Sequence, residues 1–200
     1  MTLPAVISRV WQSGAFYDLV QRLAGEKGFR ERLRPYLRAV PVHSRLVDIG
    51  GGTGLSDALS AGRAYVCLDL DVAKLRRFRA RRRHGFAVLA NATACPFGDA
   101  TFDAVLCAKV VHHLDDAELG AMLAETVRVL RPGGTLILAD AVRSCRWLPR
   151  VLWRLDRGSF PRTAVEMRRL LPSQLQTSRW EEFTLAIFHD IVLCAARKIG

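Results

Sequence analysis

The sequence predicts an α/β fold built on a parallel sheet, and three observations carry that prediction. Apolar, β-rich runs alternate with helical patterns between residues 45 and 140, which calls for crossover connections and therefore parallel strands. The run Leu46-Val47-Asp48-Ile49 enters a glycine-packed turn, Gly50-Gly51-Gly52-Thr53-Gly54. Glycines at a strand-to-helix turn remove side chains, so backbone can approach a ligand closely. Roughly 20 residues on, a second apolar run, Tyr65-Val66-Cys67-Leu68, ends in Asp69, the spacing at which an acid meets a nucleotide ribose.

Each element has a local reason. Val6, Val10, Tyr17, Val20 and Leu23 recur at helical spacing, with Gly25 and Gly28 marking a break, so residues 4–39 are expected to form two helices. Pro41 ends the second near Arg38. Strands are expected at 45–49, 64–68, 85–90, 102–107 and 134–139, the last following Gly133-Gly134. A short helix is expected over 54–61 and a longer one over 72–83, with Asp71 as its N-cap. Asp115 opens another helix, and Glu118 three residues on completes a capping box. Glu181 to Ala196 is expected to form a hairpin turning at His189-Asp190.

Composition narrows the function classes. At 200 residues the chain suits one domain, able to bury roughly 70% of its unfolded surface. No apolar run is long enough to span a bilayer, and Met1-Thr2-Leu3-Pro4 lacks a secretory pattern. Cys67, Cys95, Cys107, Cys145 and Cys194 are odd in number and widely spaced. With no C-x-x-C pair they indicate neither a metal site nor a disulfide framework, and they read as small core residues of a cytoplasmic, reduced protein. The net charge is +11, from 26 Arg and only four Lys against 19 acids. Residues 74–83 hold seven cations and no acid. Such a surface favours anionic partners, although a solvated outer face is the commoner explanation for a charge run and the Arg skew can come from genomic base composition.

The glycines at Gly50, Gly52 and Gly54 read G-x-G-x-G, not the dinucleotide G-x-G-x-x-G, and no G-K-[ST] follows. Downstream come Asn91-Ala92, Cys95-Pro96-Phe97, Phe102-Asp103-Ala104-Val105-Leu106, Val111-His112-His113-Leu114 and Val129-Leu130-Arg131-Pro132-Gly133-Gly134-Thr135-Leu136. In this order, across roughly residues 45–140, the pieces resemble the class I S-adenosylmethionine-dependent methyltransferases. The likeness is to the small-molecule group that includes quinone-biosynthesis enzymes. The resemblance implies a Rossmann-like sandwich with helices on both faces. Its mostly parallel seven-stranded sheet would take an antiparallel edge strand from the C-terminal tail. The expected division is an N-terminal helical cap (1–44), a cofactor-binding core (45–142), a lid segment (143–173) and a C-terminal β-hairpin (174–200).

The resemblance also implies roles for residues that fall at strand ends. Gly50, Gly51, Gly52, Thr53 and Gly54 would let backbone meet the methionine and ribose parts of S-adenosylmethionine. Asp48 would order the loop or the cofactor's amino group, and Asp69 would grip the ribose diol. Leu70 would pack on adenine, with Asn91 and Ala92 at its edge and Ala108 beside the pocket. His112 and His113 are candidate general bases, since imidazole can take a proton from a hydroxyl or acidic carbon. The competing reading has one packing under the loop and the other completing a hydrogen-bond network. Lys109 either reaches an anionic substrate or points to solvent, and Asp140 either orients substrate or bonds nearby backbone.

Leu148, Val151, Leu152 and Leu155 lie at helical spacing, flanked by Arg146, Arg150, Arg154 and Arg157, with Trp147 and Trp153 nearby. This is either a lid over the substrate, with Trp147 a substrate-side candidate, or a helix lying on an anionic membrane surface. The leading expectation is methyl transfer to O or C of a small, hydrophobic molecule. Alternatives are methylation of nucleic acid or protein through the basic surface, or cofactor binding without catalysis. The absence of Asn/Asp-Pro-Pro-aromatic after the fourth strand, where Cys107-Ala108-Lys109-Val110 stands, argues against methylation of base amino groups.

Overall fold

The computed structural model describes residues 25–54, 56, 59–81, 85–143, 160–185 and 189–200. In chain order these form α1 (Glu26–Ala39), β1 (Arg45–Ile49), β2 (Ala64–Asp69), α2 (Val72–Arg81), β3 (Phe86–Leu89), β4 (Phe102–Ala108), α3 (Asp116–Val129), β5 (Leu130–Val142), α4 (Ala164–Leu170), β6 (Leu175–Leu185) and β7 (His189–Lys198). The sheet has seven strands in the order β3-β2-β1-β4-β5-β7-β6. β1 to β5 pair in parallel, whereas β7 is antiparallel to both β5 and β6.

The central strands are buried on both faces, which explains why β1 is an apolar run rather than an alternation. On one face, α1 and α2 send Phe29, Leu33, Leu37, Leu75 and Phe78 against Leu46, Cys67, Leu106, Ile137 and Leu193. On the other, α3 and α4 send Leu119, Met122, Leu123 and Met167 against Val47, Ile49, Val105, Leu138 and Cys194. The α1 contacts recur at i, i+4, i+7 and i+8, one stripe of a helix. The capping box of α3 is present, Asp115 accepting from Glu118 N–H and Glu118 from Asp115 N–H.

Several expectations are corrected. The hairpin does not turn at His189-Asp190: these are the first residues of β7, paired with Leu185 and Thr184. Its first strand starts at Leu175, and a period-2 pattern leaves the turn position open. The antiparallel strand β7 is internal, and the sheet edge is β6. β5 begins before the Gly133-Gly134 pair, because Gly133 adopts φ 75° and lets the strand continue through it. Where a helix was expected over 54–61, the described residues show an i to i+3 bond from Leu59 N–H to Ser56 C=O. The first expected helix and the Arg-rich stretch around 149–157, including Trp147, lie outside the described residues.

Candidate functional site

The registers bring the carboxyl ends of β3, β2, β1 and β4 level: Asp69 sits beside Leu89, Ile49 beside Leu68, and Ile49 beside Cys107. Strand order reverses between β1 and β4, the place where open α/β sheets bind ligands. Asp48, the glycine loop, Asp69, Leu70, Asn91, Ala92 and Ala108 all fall at or just beyond these ends.

The glycines are there for two different reasons. Gly50, Gly52 and Gly54 take left-handed φ values of 69°, 56° and 71°. A Cβ on Gly50 would lie 2.3 Å from Val110 Cγ2, and one on Gly54 2.3 Å from Phe78 Cδ2. Gly51 is hemmed in by Cys67 Sγ at 2.8 Å. A Cβ on Gly52, by contrast, would meet nothing closer than 3.6 Å. Three glycines therefore seal the turn against the protein, while a Cβ on Gly52 would sit in ordinary contact with Lys74 and the Asp69 carboxylate, so there it is the left-handed φ that favours glycine.

Asp69 as a whole is 7% exposed. Its Oδ2 accepts from Gly52 N–H at 2.9 Å and its Oδ1 from Asp71 N–H at 2.8 Å. An ionised carboxylate has about four acceptor positions, so one on each oxygen remains for two hydroxyl donors. A vicinal diol has that donor pair. Leu70, next along the chain, is 67% exposed and offers an apolar surface beside it. Asn91 Oδ1 accepts from Thr93 N–H at 3.0 Å, which fixes the start of the loop after β3 and leaves the carboxamide with one further lone pair and its N–H groups. Asp48 is buried and takes a 2.5 Å hydrogen bond from Tyr65 Oη. The donor and acceptor set fits an adenosine-type cofactor.

Beyond β4 lies a turn that the sequence could not organise by itself. Asp140, 1% exposed, accepts from Val110 N–H at 2.9 Å and Val111 N–H at 2.5 Å through Oδ2. Its Oδ1 accepts from Ala141 N–H at 2.7 Å and meets His112 Nδ1 at 2.5 Å. A carboxylate is acceptor-only, so the bond places a proton on Nδ1. The His113 ring lies against His112, centroids 4.0 Å apart. The two histidines, equivalent in sequence, are thus distinct: His112 pairs with a buried acid and His113 packs on it.

Lys109 makes a contact that neither of its two expected readings included. Its backbone is left-handed, φ 61°, a conformation that costs a non-glycine residue of order 1–3 kcal/mol. The residue is exposed overall, yet its ammonium lies 4.7 Å from the centroid of the Phe29 ring on α1. Lost hydration lowers its pKa, while Glu26 and Asp140 pull it back up. Tyr65, Val110, Phe29 and Arg162 were not foreseen as parts of the site. Burial holds the thiols of Cys95, Cys107 and Cys194 protonated, Cys95 at about 11 and Cys194 at about 12.

The fold and this site define an α/β protein that seats a nucleotide-type cofactor at the reversal of strand order. Comparison with known proteins makes the class specific. Residues 47–138 match the family described as "Methyltransferase domain". An uncharacterized methyltransferase of Synechocystis sp. is 31% identical over 153 residues, covering 72% of each chain. A demethylmenaquinone methyltransferase of Renibacterium salmoninarum is 36% identical over 104 residues, 51% of this chain and 43% of that one. The solved geranyl diphosphate C-methyltransferase of Streptomyces coelicolor A3(2) superposes with a TM-score of 0.74 at 17% identity, covering 87% of this chain and 76% of that one. The chain spans about half the length of the demethylmenaquinone methyltransferases that it matches. It belongs to the class I S-adenosylmethionine-dependent methyltransferases, and S-adenosylmethionine is the cofactor of that class.

Proposed function

We propose that this chain methylates O or C of a small, hydrophobic acceptor, with His112 as general base. The observation that carries the reading is the His112–Asp140 pair beside the strand ends that hold Asp69 and the glycine loop. S-adenosylmethionine, when bound, supplies an electrophilic methyl group on a sulfonium. Asp69 would bind the ribose diol, Gly52 would let the cofactor approach the loop, and Leu70 would cover the adenine. His112 Nε2 would take the acceptor's proton as its oxygen or carbon attacks the methyl group. Asp140 would hold the imidazole in the correct tautomer and stabilise its cation, as a buried acid does for a catalytic histidine. Holding nucleophile and methyl on one axis supplies much of the remaining rate. The demethylmenaquinone methyltransferases among the relatives are named for a small apolar acceptor, which supports the same class here.

The test is methyl transfer from radiolabelled S-adenosylmethionine into a fractionated cell extract. Label is expected in the organic-soluble, small-molecule fraction. Label confined to protein or nucleic acid would contradict the reading.

A further inference from the structure

Arg162 is 7% exposed although it carries a permanent charge. Its Nε and Nη2 both donate to Asp116 Oδ1, at 2.9 and 2.6 Å. Its Nη1 donates to Val111 O at 3.1 Å and Phe160 O at 3.3 Å, and Nη2 also reaches Leu114 O at 2.8 Å. All five guanidinium N–H groups are thereby used, and two of the three carbonyls belong to the turn that carries His112 and His113. The same turn is held at its N–H side by Asp140, through Val110 and Val111. A buried cation thus grips its carbonyls and a buried anion its amides. Phe160 N–H adds a bond to His112 O at 3.1 Å.

Asp116 does not require this arrangement, because its side chain is 81% exposed and solvated without help. The ion pair is a weak reason to bury a guanidinium. What the burial achieves is a fixed position for Val111 and Leu114, on either side of the two histidines. Only Arg offers donors in a planar fork able to serve two carbonyls and a carboxylate at once; a Lys ammonium would serve fewer. We propose that Arg162 is a positioning residue, which sets the 111–114 turn so that His112 Nδ1 stays on Asp140 and Nε2 stays free of its proton. The proposal rests on the reading of His112 and Asp140 as the proton-accepting pair.

The test is nitrogen-15 NMR of the histidine rings in the full chain with S-adenosylhomocysteine bound, His112 being assigned by loss of its signals in His112→Gln. Wild-type His112 is expected as the single Nδ1–H tautomer. In Arg162→Gln and Arg162→Lys the turn is released, and the signals are expected to move toward the Nε2–H tautomer that free imidazole prefers. Affinity for S-adenosylhomocysteine is expected to change by less than about threefold, because the hydrogen bonds of Arg162 go to Val111, Leu114, Asp116 and Phe160 and, among the described residues, none goes to the β1 or β2 ends. An unchanged tautomer in folded variants overturns the role of Arg162 while leaving the His112–Asp140 pair intact. A wild-type His112 protonated at Nε2 overturns the pair itself and this proposal with it. Should the Arg162 variants fail to fold, Asp116→Asn loosens the fork from an exposed position. It is expected to move the same signals in the same direction, and no movement overturns the proposal.

Discussion

Replacing Asp69 with Ala should weaken binding of S-adenosylhomocysteine about 100-fold, and the structure shows how that figure arises. Two ribose hydroxyls on a charged acceptor are worth about 1.5–3 kcal/mol each, so their full loss is about 3–6 kcal/mol. Water can take the place of the deleted carboxylate, which returns part of that, so the lower end, about 3 kcal/mol or roughly 100-fold, is expected. Gly52 N–H and Asp71 N–H also lose their acceptor, which loosens the loop in the same direction. Asp69→Asn discriminates further. Both carboxylate oxygens face backbone donors, so an amide NH2 must oppose either Gly52 N–H or Asp71 N–H. Asn should therefore bind more weakly than wild type despite near-identical shape. Calorimetric titration reads the affinity, and a melting curve confirms folding. A change below about threefold in a folded Asp69→Ala protein would refute the assignment of the ribose seat.

Three further outcomes follow from other parts of the molecule. Asp140→Asn should lower the methyl-transfer rate on the order of 100-fold or more, the scale of a displaced acid or base, with S-adenosylhomocysteine affinity little changed; equal losses of rate and affinity would count against a role in proton transfer. Gly50→Ala places a Cβ 2.3 Å from Val110 Cγ2 at φ 69°, so thermal unfolding should show a loss of about 2 kcal/mol or more, and a neutral result would contradict the loop packing. Glu125 has its pKa lowered, chiefly by its hydrogen bonds from Arg128 and then by Cys95 N–H. A depressed carboxylate stabilises above its unfolded pKa of about 4.3 and loses that stabilisation as pH falls through the folded value. Glu125→Gln should therefore cost about 1–2 kcal/mol at neutral pH and progressively less as pH falls below about 4.3, as read by denaturant unfolding across pH.

Much of the fold was legible because its determinants are local. The apolar runs, the glycine turn and the Asp115–Glu118 box each act within a few residues, and each strand of the core falls close to its expected place. A second box, Thr163 with Glu166, has the same S/T-x-x-E signal and could have been found by it. The strand ends that group Asp48, Asp69, Asn91 and Ala108 were legible for the same reason. What was not legible depends on residues far apart in the chain. His112 meets Asp140 across 28 positions, and Arg162 reaches Val111 across 51. No spacing rule distinguishes His112 from His113, since only the arrival of β5 decides which ring faces an acid. The approach of Lys109 to Phe29 of α1 was not legible either, because that contact is set by tertiary packing.

The most direct measurement is a crystal structure of the protein with S-adenosylhomocysteine. The account predicts the ribose hydroxyls on the Asp69 carboxylate, the adenine over Leu70, the amino-acid end along Gly50–Gly52, and the sulfur facing the turn that carries His112. A ligand bound with its ribose away from Asp69, or with its sulfur turned from that turn, would contradict it.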